Sequence, residues 1–291
     1  MSSTRRDLEA ETPFGTFSPN SAQRSLMRVG SMIPAGRYAR KMARPLRSLL
    51  RRLSRTPIDV TVLGEQRMRL HPRGNACETR ILILPHLFDR YELRVLSRAL
   101  TQRAVFIDIG ANVGIYAIYA ALHAGPGTSI IAVEPHPLAL ERLRCEVRLN
   151  HLTNIAIEPV ALNDRSGTVT FRPNRRNIGN STILVKEGAV RGELIEVPSE
   201  SPLDLAARHG SRIDAIKIDV EGAEDLILFP FFASAPQTLW PSLLLIENSE
   251  DQWRRDCRDS LRGAIAGEES PRATSSFGAP RQDRSCRCAS R

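Results

Sequence analysis

The run Asp108-Ile109-Gly110-Ala111-Asn112-Val113-Gly114 is the first place where residue types and spacing point to chemistry. It follows the apolar segment Ala104 to Ile109 and precedes a helical one. Its backbone amides therefore face the crevice beyond the carboxyl end of a strand, where open α/β sheets hold their ligands. Gly110 and Gly114 let the backbone turn sharply and approach a ligand with no Cβ in the way, while Asn112 tolerates a strained turn and offers an amide. Glu134 follows at the end of the next strand, where a carboxylate can accept two hydrogen bonds from a ribose diol. Together these describe a nucleoside pocket. A dinucleotide site does not fit, because a G-x-G-x-x-G count from Gly110 meets Asn112 and Ile115. A phosphate-binding Walker A loop does not fit either, since no Gly-Lys-Ser/Thr follows.

A second cluster, Asp219, Glu221 and Glu224, lies where a later strand gives way to a helix. A carboxylate there can act as a general base if its neighbours raise its pKa, which Asp219 and Glu221 require. Glu221 and Glu224 can equally favour the N-terminus of the helix after Gly222, with Lys217 as their ion-pair partner. For Glu224 the structural role is preferred, for Asp219 the chemical one. Magnesium on Asp219, Glu221 and Glu247 is conceivable for hard oxygen ligands, but no His or further Asp completes the set, and no metal is assigned. His123, His136, His151 and His209 are isolated. Asn180, Ser181 and Thr182 either contact an acceptor's hydroxyls or form a polar turn.

Both clusters need a sheet to position them. Ala104–Ile109, Ser129–Val133 and Ile155–Ala161 read as strands, with helices over Val113–His123 and Pro137–Asn150 between them. This is βαβαβ, the signature of a parallel sheet with crossovers. Thr168–Arg172 and Leu194–Pro198 read as an antiparallel insertion, Pro202–His209 as a short helix, Ala215–Asp219 as a fourth parallel strand, Ala223–Phe231 as a helix and Leu243–Glu247 as a fifth strand. Ahead of them, Ile58–Leu63 and Arg67–Leu70 flank a Gly64-Glu65 turn and predict a small hairpin, followed by a helix over Asp89–Leu100.

With these pieces in place the chain resembles the FkbM family of methyltransferases, from about residue 58 to about residue 253. The resemblance rests on Tyr91-Glu92, Val105 through Gly114, Val133-Glu134-Pro135, Leu149-Asn150, Val160 through Asp164 with Gly167, Gly179 through Thr182, and Ile216 through Glu224. It implies a class I methyltransferase sheet of Rossmann-like, mostly parallel form. It also implies S-adenosyl-L-methionine as donor, and O-methylation of a hydroxyl on a sugar, glycan or polyketide-like metabolite. By position it sets Asp108, Gly110, Ala111, Asn112 and Gly114 around the donor's amino-acid and ribose part and Glu134 on the ribose hydroxyls. Asn163 or Asp164 would meet the adenine edge, and Asp219 would stand beside the methyl group with Glu221 near it. A nucleic-acid amino-methylating enzyme would carry Asn/Asp-Pro-Pro-Tyr/Phe where this chain has Asp219-Val220-Glu221-Gly222.

Composition sets the outer bounds. A hydrophobic fraction of 42% over 291 residues suits one folded α/β unit. The formal charge of +9 is located at the ends: residues 1–56 carry +9, residues 254–291 carry +4, and the body is left at −4, which does not suit nucleic acid. No stretch reaches the roughly 18 apolar residues of a membrane span. Five cysteines without metal-ligand spacing suit reduced thiols in the cytoplasm. Residues 1–36, rich in Ser, Pro, Gly and Thr, predict no fixed structure. Tyr38, Met42, Leu46, Leu49, Leu50 and Leu53 recur at helical spacing among arginines, a pattern that either packs on the domain or contacts an anionic membrane surface. The expected division is an N-terminal extension over 1–56, a methyltransferase domain over 57–253 and an irregular basic tail over 254–291. That tail lacks the helix and hairpin that close such sheets and predicts no strand. It leaves the fifth strand as an open edge, and it supports an alternative reading of a catalytically impaired binding domain with a truncated or out-of-frame C-terminus.

Overall fold

The computed structural model describes residues 9, 11–174, 177–183, 194–210, 212–247 and 272–276. Among these, the strands β1 (Ile58–Val62) and β2 (Gln66–Leu70) form the predicted hairpin, in antiparallel register with Asp59 opposite Arg69. The strands β3 (Val105–Ile109), β4 (Ser129–Val133), β5 (Ile155–Glu158), β9 (Ala215–Ile218), β10 (Leu243–Glu247) and β11 (Arg272–Ser276) form one parallel sheet in the order β11-β10-β9-β3-β4-β5. Between them β6 (Ala161–Leu162), β7 (Gly167–Phe171) and β8 (Ile195–Glu200) make a separate small sheet, in which β7 and β8 pair antiparallel as the insertion predicted.

Alternation along the strands sorts the core. Phe106, Ile130, Ala132, Ala215, Leu243 and Leu245 point to one face. There they meet α4 (Arg90–Ala99), α5 (Ile115–His123) and α6 (Pro137–Leu149). Ile107, Ile109, Ile131, Ile216, Ile218 and Leu244 point to the other, against α7 (Pro202–Arg208) and α8 (Glu224–Ser234). Both faces are covered, which is why the strands read as near-continuous apolar runs. The chain runs outward from β3 through β4 to β5 and then returns to β9 on the other flank of β3. That reversal opens a crevice at the carboxyl ends of β3 and β9.

Two expectations are corrected. Residues 1–36 were expected to lack structure, yet α1 (Ser21–Ser31) is fixed by a capping box between Asn20 and Gln23, and Ile33 is buried in the core. The segment before α1 is held because Arg69, itself buried, pairs with Asp59 (2.8 Å) and donates to the carbonyls of Thr12 (2.9 Å) and Pro13 (3.0 Å). Asp59 in turn accepts from the amides of Gly15 (2.7 Å) and Phe17 (3.2 Å). Likewise no strand was expected past Trp253, yet β11 pairs in parallel with β10 and covers the edge that was expected to be open. The remainder of the predicted tail, 254–271 and 277–291, lies outside the described residues.

The basic segment forms α2 (Ala39–Leu53), which buries Ala39, Ala43 and Leu50 against α3 (Ala76–Ile83) and its surroundings. Tyr38, Met42, Leu49 and Leu53 stay exposed. No helix among the described residues is long and apolar enough to cross a membrane.

Candidate active site

The loop after β3 turns because Gly110 and Asn112 adopt left-handed conformations (φ 73° and 54°), and Gly114 does the same (φ 85°) as it starts α5. At Gly110 no other residue fits: a Cβ would lie 2.0 Å from the Asp219 carbonyl oxygen on the neighbouring strand end. At Gly114 the constraint is packing, since a Cβ would meet Leu143 Cδ1 at 2.3 Å. The amides of Gly110 and Ala111 both donate to the Val133 carbonyl (3.0 Å each), tying the loop to β4.

Glu134 follows β4 as expected and is buried. One carboxylate oxygen accepts from the Asn112 amide and the other from the His136 amide, each at 2.8 Å. Each oxygen keeps a further lone pair for a hydroxyl donor. Burial pushes its carboxyl up to about 7, against the pull of those two amides. Glu134 lines a small cavity of about 60 Å³ with Gly110, Asn112, Val160, Phe171 and Asp219.

A larger cavity of about 340 Å³ adjoins it, and Gly110, Asn112, Gly179 and Asp219 line both. Ala111, Glu221, Asn75, Tyr116, Asn180 and Lys217 also line the larger one. Glu221 sits in a left-handed conformation (φ 56°). Burial first, then the charges of Asp219 and Glu224, push its carboxyl up to about 7. Glu224 is buried and accepts from the amides of Val220 (3.2 Å) and Gly222 (3.1 Å), so it shapes the turn that presents Asp219 and Glu221.

Lys217 does not pair with Glu221 or Glu224, contrary to expectation. Register places it beside Asp108 on the adjacent strand, and its Nζ lies 3.2 Å from Asp108 Oδ1, 3.9 Å from Asp219 and 3.1 Å from the Gly110 carbonyl. Burial works against this ammonium, and Asp108 and Asp219 outweigh it, holding its pKa above the ordinary lysine range. Asp108 is buried beneath the loop and lines neither cavity. Gly114, Asn163 and Asp164 do not line them either; Asp164 is exposed and pairs with Arg165 (3.4 Å). The wall next to Glu134 is Val160, Ala161 and Leu162 instead.

Sequence reasoning missed Asn75, whose Nδ2 donates to Asn112 Oδ1 (3.0 Å), and Tyr116, whose hydroxyl donates to Asp89 (3.1 Å). Asn75 also caps α3 through Cys77 N (2.9 Å), a signal visible as an Asn before a helical run. Among the described residues no group of three His, Cys, Asp or Glu is placed to hold a metal ion.

A fit to an adenosyl ligand is supported by the loop that excludes a Cβ at Gly110 and by the amide-held carboxylate of Glu134. The family model described as the methyltransferase FkbM domain matches residues 108–258. The chain is 30% identical over 156 residues to methyltransferase sdnD of Sordaria araneosa, covering 43% of this chain and 59% of that protein. It is 26% identical over 197 residues to the 31-O-demethyl-FK506 methyltransferase FkbM of Streptomyces tacrolimicus, covering 58% and 73%. The chain thus spans 59% of the length of the first of these relatives. The crystal structure of methyltransferase FkbM from Methylobacillus flagellatus KT superposes with a TM-score of 0.31 at 11% identity, over 67% of this chain and 45% of that one, too slight an overlap to say more. With the family model spanning more than half of its length, the chain belongs to the FkbM methyltransferase domain family.

Proposed function

We propose that the chain methylates a hydroxyl group of a sugar, glycan or polyketide-like small molecule, with S-adenosyl-L-methionine as donor. One observation carries the reading: Gly110, Asn112, Gly179 and Asp219 line both cavities, so the cavity at Glu134 and the cavity that holds Glu221 share a wall. The donor supplies an already activated methyl group, which leaves the protein to align the acceptor and remove its proton. Glu221, with its carboxyl near 7, takes that proton, and Asp219 orients the acceptor at the chamber boundary. A relative whose name specifies an O-demethyl substrate supports oxygen as the acceptor atom. A non-catalytic domain is the less favoured reading, because the carboxylates and the nucleoside chamber are assembled together.

Calorimetric titration of the full chain with S-adenosylhomocysteine tests the donor. Saturable binding is expected, and Gly110→Arg should abolish it because the new side chain would fill the loop. A cooperatively folded wild type that does not bind sinks the reading.

A separate observation bears on partners. Of eight exposed large apolar side chains among the described residues, six (Val29, Met32, Tyr38, Met42, Leu49 and Leu53) belong to α1, α2 and their flanks. Tyr38, Met42, Leu49 and Leu53 fall on one side of α2 by helical spacing, bordered by Lys41 and Arg52. We read this as a peripheral contact of a cytoplasmic protein with an anionic bilayer. Cosedimentation with phosphatidylserine-containing vesicles, lost in pure phosphatidylcholine and in Met42→Ser/Leu49→Ser, is the expected result; equal recovery in the supernatant with both vesicle types refutes it.

A further inference from the structure

The larger cavity is unevenly charged. The ends of β9 and its turn contribute Asp219 and Glu221, whereas α2 and α3 contribute Arg40, Arg47 and Arg80 to the same lining. Arg80 is partly engaged: Nη2 donates to both oxygens of Asp89 (2.8 and 2.7 Å), and its guanidinium lies 4.4 Å from the Phe88 ring centroid. Arg47 Nη2 donates to the Ala76 carbonyl (3.0 Å). The Nε of Arg47 and the Nε of Arg80 are both buried and have no hydrogen-bond partner among the described residues.

No carboxylate is paired with Arg47 among the described residues. Burial, then the charges of Arg51, Arg80 and Arg40, hold its pKa below the ordinary arginine range. Glu92, in the same lining, is pushed toward its neutral form by burial and by Asp89. A guanidinium remains charged under such pressure, so a half-buried one among other cations is stabilised by an anion, and among the described residues none is paired with it. Its planar fork suits the paired oxygens of a carboxylate or phosphate.

We propose that Arg47 and Arg40, with the charge of Arg80 beside them, form an anion seat in the larger cavity. It holds a carboxylate or phosphate group belonging either to the amino-acid end of the donor or to the acceptor. The seat rests on the donor reading above for the first of these sources.

The test compares the full-length wild type with Arg47→Gln and Arg40→Gln. Arg40 is exposed, so the second substitution puts no buried contact at risk; circular dichroism confirms folding of both. Each protein is titrated with S-adenosylhomocysteine, with 5′-methylthioadenosine, which lacks the amino-acid carboxylate, and with inorganic phosphate in the presence of saturating S-adenosylhomocysteine. A loss of about tenfold or more in S-adenosylhomocysteine affinity, with methylthioadenosine unchanged, assigns the seat to the donor. Unchanged nucleoside binding with phosphate binding lost in the variants assigns it to an anionic acceptor. Folded variants that match the wild type for all three probes overturn the seat. If the wild type binds no S-adenosylhomocysteine, the donor reading falls by itself, and phosphate titrated into the ligand-free proteins decides the seat.

Discussion

Glu134, the carboxylate given to the ribose in the proposed reading, is buried. Its carboxyl is pushed up to about 7 by burial, and ribose hydroxyls donating to it would favour the charged form. Protonation therefore competes with binding, and affinity for S-adenosylhomocysteine is expected to rise about tenfold between pH 6 and pH 8 and then level off. Calorimetry at both values checks this, and Glu134→Gln should bind weakly and flatten the dependence. The same direction holds for turnover: Glu221, also near 7, loses its proton over that range, so transfer rises with pH, and Glu221→Gln should lower it by about 10²-fold or more. Lys217→Met leaves Asp108 buried and unpaired and is expected to cost about 3–5 kcal/mol in urea unfolding, part of which Asp108→Asn should restore. That Gly110, Asn112, Glu134, Asp219 and Glu221 line the cavities was legible because each follows closely on a strand end, where spacing largely decides position. The partner of Lys217 was not, because it follows from strand register across β3 and β9, which local spacing does not encode. Asn163 and Asp164 were set by analogy of position, and the chain turns away from the cavities one residue before them.

The hairpin does more at the level of elements than its size suggests. Asp59 and Arg69 face each other across β1 and β2 and together bind the backbone of residues 12–17. Arg69→Met should release that segment, with a loss of about 3–5 kcal/mol and early cleavage there in limited proteolysis. Unchanged cleavage would show that α1 and its cap hold the segment without the pair. The strands and helices between Val105 and Glu247 were readable from apolar periodicity because both faces of the sheet are covered. α1 was missed because Ser-, Gly- and Pro-rich composition outweighed the Asn20–Gln23 box in the reading. β11 was missed because Arg-Ala-Thr-Ser-Ser shows no apolar alternation; its place comes from the backbone edge that β10 offers.

For the whole molecule, β11 covers the apolar strand β10 and takes the edge position itself with the polar run Arg-Ala-Thr-Ser-Ser, a poorer template for pairing with another chain. A chain ending at residue 271 is expected to sediment as aggregates where the full chain does not, and a monodisperse truncation would show that β10 is protected by other means. The placement of the reaction chamber has a kinetic consequence as well. β3 and β9 are neighbours in the sheet, yet everything from α5 to α7 is synthesised between them. The Gly110–Asp219 approach that forms the floor of both cavities is therefore a long-range closure, and contacts of that kind form late and slowly. An N-terminal portion of the chain can gather the glycine loop and Glu134 but has no second wall against which to bind. Nucleoside binding during refolding should then emerge only with the slowest phase, after most of the helical signal has returned.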